Sequence, residues 1–100
     1  MASMNPPASA RKNRIEAALL AELAPTYLNV VDESERHRGH GGWREGGETH
    51  FAVEVVSSAF GGKSRVARQR LVMDALKAEF ETGLHALSVT TRTPEEQSTD

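Results

Sequence analysis

Residues 50–80, HFAVEVVSSAFGGKSRVARQRLVMDALKAEF, decide the fold because they hold a strand, a break and a helix in succession. Apolar and polar side chains alternate through 50–57, and this period of two predicts a β-strand. The glycine pair that follows Phe60 ends the strand pattern. Ser64 is a residue type that caps the N-termini of helices. We therefore predict a strand over 50–57 and a helix from Ser64 to about Phe80.

The flanking sequence adds one helix before this stretch and two further strands. A helix is predicted from about Arg11, where apolar residues recur at four-residue steps until Pro25 ends the pattern. Its apolar residues are Ile15, Leu19 and Leu23. The segments 27–32 and 84–92 alternate in the manner of strands.

The resulting order of helix, strand, strand, helix, strand predicts an α+β domain with helices on one face of a three-stranded mixed sheet. The first two strands can pair antiparallel. The second and third strands are joined through a helix, which allows a right-handed parallel crossover. An antiparallel third strand also fits the pattern.

The helix predicted over 64–80 carries one apolar stripe on a helical wheel. Gln69 falls in the middle of that stripe and needs a hydrogen-bond partner if it is buried. Leu71 falls on the opposite side. The residues of the stripe are Val66, Val72, Met73, Leu76 and Phe80.

Three parts are predicted along the chain. Residues 1–11 form a disordered lead, 12–93 form the folded domain, and 94–100 form a polar tail. A polar, glycine-rich connection over 33–49 is unusually long for so small a domain, which makes it functional or mobile.

Composition excludes several classes of protein and site. The chain has 100 residues and no cysteine, so thiolate clusters, cysteine nucleophiles and disulfides cannot be built from it alone. No apolar run approaches the roughly 20 residues of a membrane span, and the N-terminus lacks the apolar stretch of a signal peptide. We therefore expect a cytoplasmic bacterial protein with no membrane partner. The sequence shows no phosphate-binding or dinucleotide fingerprint and no nucleophile–base pair, so we predict neither an enzyme nor a small-molecule substrate.

The four histidines are the first candidates for metal chemistry. His37 and His40 lie three residues apart in the glycine-rich connection, which has little structure of its own to prevent an imidazole from reaching a metal. His50 and His85 begin the second and third strands, where a packing role is the more frequent one. No zinc-type spacing such as His-Glu-x-x-His is present.

A basic cluster is the second candidate site. No acidic residue occurs between Glu54 and Asp74, a window that holds four cations. With Ser64 and the free N–H groups at the start of the helix, these cations could receive phosphates or the carboxylates of a partner. They are equally compatible with a solvated basic turn. The cations are Lys63, Arg65, Arg68 and Arg70.

Five ordered segments resemble the BolA family. They are VDES at 31–34, GETHF at 47–51, FGGKSR at 60–65, RQRLV at 68–72 and LHAL at 84–87. Together they extend over most of the predicted domain. The sequence departs from the family pattern at Gln69, where relatives often have histidine, and in a longer loop after His37.

This resemblance implies a KH-like (class II) fold with the third strand parallel to the second. It also implies a monothiol glutaredoxin partner and a [2Fe-2S] cluster shared at the interface of the heterodimer. In that arrangement His85 is one ligand, and His37 or His40 is a second. The cysteine of the glutaredoxin and the thiol of glutathione complete the ligand set. Imidazole ligands on one iron are known chemistry for such clusters.

Two functional hypotheses follow. The first is a non-enzymatic adaptor in iron–sulfur assembly, trafficking or iron and redox regulation, acting through the glutaredoxin. The second is a DNA-binding transcriptional regulator that uses the KH-like loop and the basic helix, because some BolA-like proteins are transcriptional regulators.

Overall fold

The computed structural model describes residues 10–33 and 49–98. The four helices found there are α1 (Ala10–Leu23), α2 (Arg65–Ala75), α3 (Lys77–Glu81) and α4 (Pro94–Ser98). The three strands are β1 (Tyr27–Asp32), β2 (His50–Val56) and β3 (Ala86–Arg92), and a short 3₁₀ turn, Ser58–Phe60, follows β2.

The strands form one mixed sheet in the order β1-β2-β3. β1 and β2 are antiparallel, with Val30 opposite Val53. β2 and β3 are parallel, with Val53 opposite Val89. Because the chain crosses from β2 to β3 through α2 and α3, it has the length that a parallel connection requires. The predicted α+β class, the mixed sheet and the parallel third strand are confirmed.

The hydrophobic core lies between one face of the sheet and the helices. Ile15 and Leu19 of α1 are fully buried against the inward-facing valines of the sheet. Val72 and Leu76 bring the second helical segment onto the same face. The outward face of β1 exposes Tyr27, Asn29 and Val31, so α1 and α2 pack on a single face as predicted.

The apolar stripe of α2 is rotated from the one that the sequence predicts. Val66 and Met73 are exposed by 57% and 39%, and Gln69 is exposed as well. Leu71, which was predicted on the opposite side, is partly buried against the core. The helix packs against both the sheet and α1, which draws in the side that carries Leu71 and Val72 rather than the side that carries Gln69.

The predicted helix 64–80 is two helices. α2 ends at Ala75, and α3 begins at Lys77 and ends at Glu81. Between them Leu76 has φ and ψ of −106° and 13°, which are not those of a regular helix. The break lets Phe80 stay packed against the core although the stripe no longer runs straight. Gly83 follows with a φ of 128°, a conformation suited to glycine beyond a helix end.

Both ends of the domain extend beyond the predicted boundaries. α1 begins at Ala10, so Ala10 and the buried Arg11 belong to the fold rather than to the disordered lead predicted over 1–11. Residues 1–9 of that lead lie outside the described residues. The predicted polar tail contains α4. Within the described part of the chain, no helix has the length and apolar character needed to cross a membrane.

Candidate functional site

His85 stands at the corner of the sheet where β3 begins. Its backbone N–H donates to the carbonyl oxygen of Thr49 at 2.8 Å, and the N–H of Ala86 donates to the same oxygen at 3.1 Å. The side chain of His85 is exposed. Two backbone hydrogen bonds therefore hold the main chain of His85 in place while its imidazole faces solvent.

His50, the first residue of β2, lies directly beside His85. Only 5% of His50 is exposed, and its Nδ1 is 2.9 Å from the hydroxyl oxygen of Thr49. The two imidazole centroids are 5.2 Å apart, and the rings are tilted by 51°. The buried, hydrogen-bonded position agrees with a structural role for His50. The ring of His50 therefore lies beside one side of the His85 ring.

The glycine-rich connection leaves and re-enters the described chain at this same corner. Glu33, the last described residue before it, donates its N–H to the carbonyl oxygen of His50 at 2.7 Å. Thr49, the first described residue after it, accepts the two N–H groups at His85 and Ala86. A shallow cavity of about 230 Å³ lies here. It is lined by Glu33, His50, Phe51, Ala86, Leu87 and Ser88.

The two loop histidines, His37 and His40, lie outside the described residues. His37 follows Glu33 by four positions in the sequence. His40 is farther along the same connection.

The donor atoms at this corner fit part of a metal ligand set, whose remaining ligands would come from another molecule. Among residues 10–33 and 49–98, no group of three or more histidine or carboxylate side chains is arranged to hold a metal ion. The chain has no cysteine. One exposed imidazole, His85, is suited to donate to an iron whose thiolate ligands are supplied by another molecule.

The basic cluster surrounds the turn that leads into α2. Gly62 has a φ of 72°, a left-handed conformation that glycine adopts without strain. Ser64 caps α2 as predicted, since its Oγ accepts the N–H of Ala67 at 3.1 Å. The cations Lys63, Arg65 and Arg70 are exposed.

Arg68 differs from the other three cations because it is already bound to a carboxylate. Its Nη1 and Nη2 donate to the two carboxylate oxygens of Glu96 at 2.7 and 3.1 Å, and its Nε donates to the carbonyl oxygen of Lys63 at 3.0 Å. Its side chain is only 13% exposed. The hydrogen bond to Glu96 raises the pKa of Arg68 above its ordinary value.

Glu96 belongs to α4, which lies in the segment predicted as a polar tail. The hydrogen bond from Arg68, followed by the bond from the backbone N–H of Thr93, lowers the pKa of Glu96 to about 2. Thr93 N–H donates to Glu96 Oε1 at 2.8 Å, and Glu96 N–H donates to Thr93 Oγ1 at 3.1 Å. This reciprocal pair is a capping box, with Pro94 at the first helical position. The sequence TPEE at 93–96 carries the signal that could have identified it.

A second cleft lies between α2 and β3. Its volume is about 350 Å³. Gln69, which departs from the family pattern, lines this cleft rather than the core. Arg92 also lines it and donates from Nη1 to Glu54 Oε2 at 2.7 Å. The lining residues are Arg65, Gln69, Val89, Thr90, Thr91 and Arg92.

Comparisons with known proteins show the family and the fold of the chain. The model of the family described as BolA-like protein matches residues 19–96. The chain is 48% identical over 90 residues to SufE-like protein 1, chloroplastic/mitochondrial, of Arabidopsis thaliana, covering 86% of this chain and 24% of that protein. It is 40% identical over 85 residues to the DNA-binding transcriptional regulator BolA of Escherichia coli, covering 85% of this chain and 77% of that one.

Solved structures show the same fold. The BolA domain of SufE1 from Arabidopsis thaliana superposes with a TM-score of 0.79 at 48% identity, covering 87% of this chain and 95% of that one. The chain spans about a quarter of the full SufE-like protein 1, so the similarity to that protein is to its BolA domain. With a family match over most of its length and close relatives in both sequence and structure, the chain belongs to the BolA-like family.

Proposed function

We propose that this chain is a non-enzymatic adaptor that pairs with a monothiol glutaredoxin and shares a [2Fe-2S] cluster with it. The role would lie in iron–sulfur assembly, trafficking or iron and redox regulation. The observation that carries the proposal is that the imidazole of His85 is exposed while its main chain is held by hydrogen bonds to Thr49. This corner of the sheet is also where the histidine-bearing connection is attached.

The ligand chemistry divides between the two proteins. His85 supplies one ligand from this chain, and either His37 or His40 supplies the second. The glutaredoxin cysteine and a glutathione thiol supply the thiolates, since this chain has none. When bound, the cluster would provide one-electron and transfer chemistry, and imidazole ligands would raise its reduction potential relative to thiolates.

The residues of this chain contribute a preorganised ligand position. The carbonyl oxygen of Thr49 accepts two N–H groups, from His85 and from Ala86, so the backbone at the start of β3 has little freedom. The buried ring of His50 limits the space on one side of the His85 ring. Rigid support of this kind reduces the entropy that a ligand side chain loses on binding.

The test is anaerobic reconstitution of the chain with a monothiol glutaredoxin, glutathione, iron and sulfide, followed by visible circular dichroism. The wild type should give a spectrum different from that of glutaredoxin alone, and His85→Ala should abolish the difference. Ser88→Ala is the matched control, because Ser88 is exposed on β3 near the same corner. Comparison of His37→Ala with His40→Ala assigns the second ligand.

The proposal is wrong if the glutaredoxin spectrum is unchanged by the wild-type chain. It is also wrong if His85→Ala and Ser88→Ala give the same mixed-complex spectrum. His85→Cys supplies a further check, because a thiolate in place of the imidazole should restore cluster binding with a shifted spectrum.

A second candidate function is DNA binding. Lys63, Arg65 and Arg70 are exposed around the glycine turn and the start of α2, and the relative from Escherichia coli is named a DNA-binding transcriptional regulator. Cations on this surface would contact phosphates and release counterions, so binding should weaken as salt rises.

Fluorescence anisotropy with a labelled DNA duplex at several salt concentrations tests this second function. Replacing Lys63, Arg65 and Arg70 together by glutamine should weaken binding and flatten the salt dependence by about 0.9 per lost phosphate contact. Lys77→Gln, an exposed cation in α3, is the control and should leave both quantities unchanged. DNA binding whose affinity changes neither with salt concentration nor with the triple substitution contradicts this function.

A further inference from the structure

The guanidinium of Arg68 holds an anion supplied by its own chain. The carboxylate of Glu96 meets it through two hydrogen bonds of 2.7 and 3.1 Å, one from each terminal nitrogen. The remaining Nε–H is committed to the carbonyl oxygen of Lys63 at 3.0 Å, which fixes the plane of the group. The Arg68 side chain is only 13% exposed, and Glu96 occupies both of its terminal nitrogens.

The geometry of this contact is also the geometry of phosphate recognition. A guanidinium presents two parallel N–H donors that match two oxygens of a carboxylate or of a phosphate equally well. Arg68 is already oriented for such a pair because its Nε is anchored to the turn before α2. Removal of Glu96 would leave a prepared site for a two-oxygen anion.

The element that carries Glu96 is weakly held. α4 has five residues, and a helix of that length is unstable without tertiary contacts. None of its residues is buried, and its contacts with the rest of the chain include the capping box with Thr93 and the ion pair with Arg68. Segments with so few buried contacts open at low free-energy cost, so α4 can be displaced without unfolding the domain.

Displacement requires a competing anion rather than a change of pH near neutrality. The pKa of Glu96 is lowered to about 2 by Arg68 and Thr93, so the carboxylate stays ionised at neutral pH. The exposed cations Lys63 and Arg65 lie at the start of the same helix. They attract a polyanion to the surface on which Arg68 sits.

We propose that α4 is an autoinhibitory cover on the basic face of α2, in which Glu96 occupies on Arg68 the place of a DNA phosphate. Binding of a duplex exchanges the internal carboxylate for a backbone phosphate and releases α4. This inference rests on the second candidate function, DNA binding, and adds a regulatory contact to it.

Two charge-matched substitutions in α4 test the proposal. Glu96→Gln removes the carboxylate that covers Arg68, whereas Glu95→Gln removes the same charge from an exposed neighbour with no role in the contact. In the anisotropy assay with the labelled duplex, Glu96→Gln should bind more tightly than Glu95→Gln. Its salt dependence should equal that of Glu95→Gln, because Arg68 contacts a phosphate in both complexes. In the double variant Arg68→Gln/Glu96→Gln, the gain in affinity should disappear, and the salt dependence should be flatter by about 0.9 because one phosphate contact is lost.

A second measurement follows α4 directly. As unlabelled duplex is added to the wild-type chain, the backbone amide resonances of 95–98 should move to random-coil positions while those of β2 keep their dispersion. Resonances of α4 that stay in place during saturation with DNA overturn the exchange of anions.

These measurements distinguish a failure of the α4 cover from a failure of DNA binding itself. If the wild type binds DNA with a normal salt dependence but Glu96→Gln behaves like Glu95→Gln, α4 is not a cover and DNA binding stands. If neither the wild type nor Glu96→Gln binds DNA, both are wrong. If Glu96→Gln alone binds, the cover is confirmed in its strongest form.

Discussion

Glu79 should be a strong determinant of stability because it neutralises a buried cation that lies far away in the sequence. Its carboxylate accepts Arg11 Nη1 at 2.8 Å and Arg14 Nε at 3.0 Å. The side chains of Arg11 and Glu79 are 11% and 10% exposed, while Arg14 is 51% exposed. Glu79→Leu keeps similar volume and helix propensity but leaves the Arg11 charge buried without its carboxylate.

The expected loss of stability in Glu79→Leu is worked out separately for the ion pairs of Glu79 with Arg11 and with Arg14. Breaking a buried ion pair by removing one partner costs about 3–5 kcal/mol. Arg11 keeps hydrogen bonds to the carbonyl oxygens of residues 79 and 82, which places the loss at the lower end, about 3 kcal/mol. The pair with Arg14 adds at most about 1 kcal/mol because Arg14 is half exposed. For a chain of this size, a loss of about 3 kcal/mol lowers Tm by roughly 12–24 °C.

Urea denaturation followed by far-UV circular dichroism measures the loss. Glu81→Leu is the matched control, since Glu81 is exposed in the same short helix. It should change the free energy of unfolding by no more than about 0.5 kcal/mol. The double variant Arg11→Met/Glu79→Leu should recover most of the stability, because it removes the uncompensated charge. Equal effects of Glu79→Leu and Glu81→Leu would refute the argument that a buried charge is being neutralised.

Two other predictions concern the core and the pH dependence of α4. Leu76→Ala removes a fully buried side chain and should lower the free energy of unfolding, measured by urea denaturation, by about 2–5 kcal/mol. Met73→Ala changes a side chain that is 39% exposed and should lower it much less. Similar losses for the two variants would contradict the rotated stripe of α2. The carboxylate of Glu96 has a pKa of about 2 in the folded chain, against 4.5 for an ordinary glutamate. Its contact with Arg68 therefore stabilises the fold above about pH 4.5 and loses that effect as pH falls toward 2. The difference in Tm between wild type and Glu96→Gln should therefore shrink over that range, and a difference that persists at pH 2 would contradict this assignment.

Much of the local structure was predictable because its signals are short-range. The strand predicted over 27–32 matches β1 residue for residue, since alternation of apolar and polar side chains is a local property of the chain. The residues at four-residue steps in α1, namely Ile15, Leu19 and Leu23, are all buried. The Ser64 cap depends on a contact only three residues away. Each of these features has its cause within one or two turns of chain.

The candidate site was predictable in part. The ordered motifs singled out His85, and the structure places it exposed at a fixed corner of the sheet. Its pairing with His50 could not be derived from the sequence, because only the parallel alignment of β2 and β3 brings the two rings within 5.2 Å. The commitment of Arg68 to Glu96 was likewise missed, because the two residues are 28 positions apart.

The amino-acid sequence by itself determined α1, the three strands, their order, the α+β class and the glycine turn before α2. The tertiary structure alone decided which side of α2 is buried, that Arg11 belongs to the fold, and which cations remain open to a partner. The physical reason is that periodicity defines a face only relative to its own helix. Which face is buried, and which charges meet, depends on packing between segments that are distant along the chain.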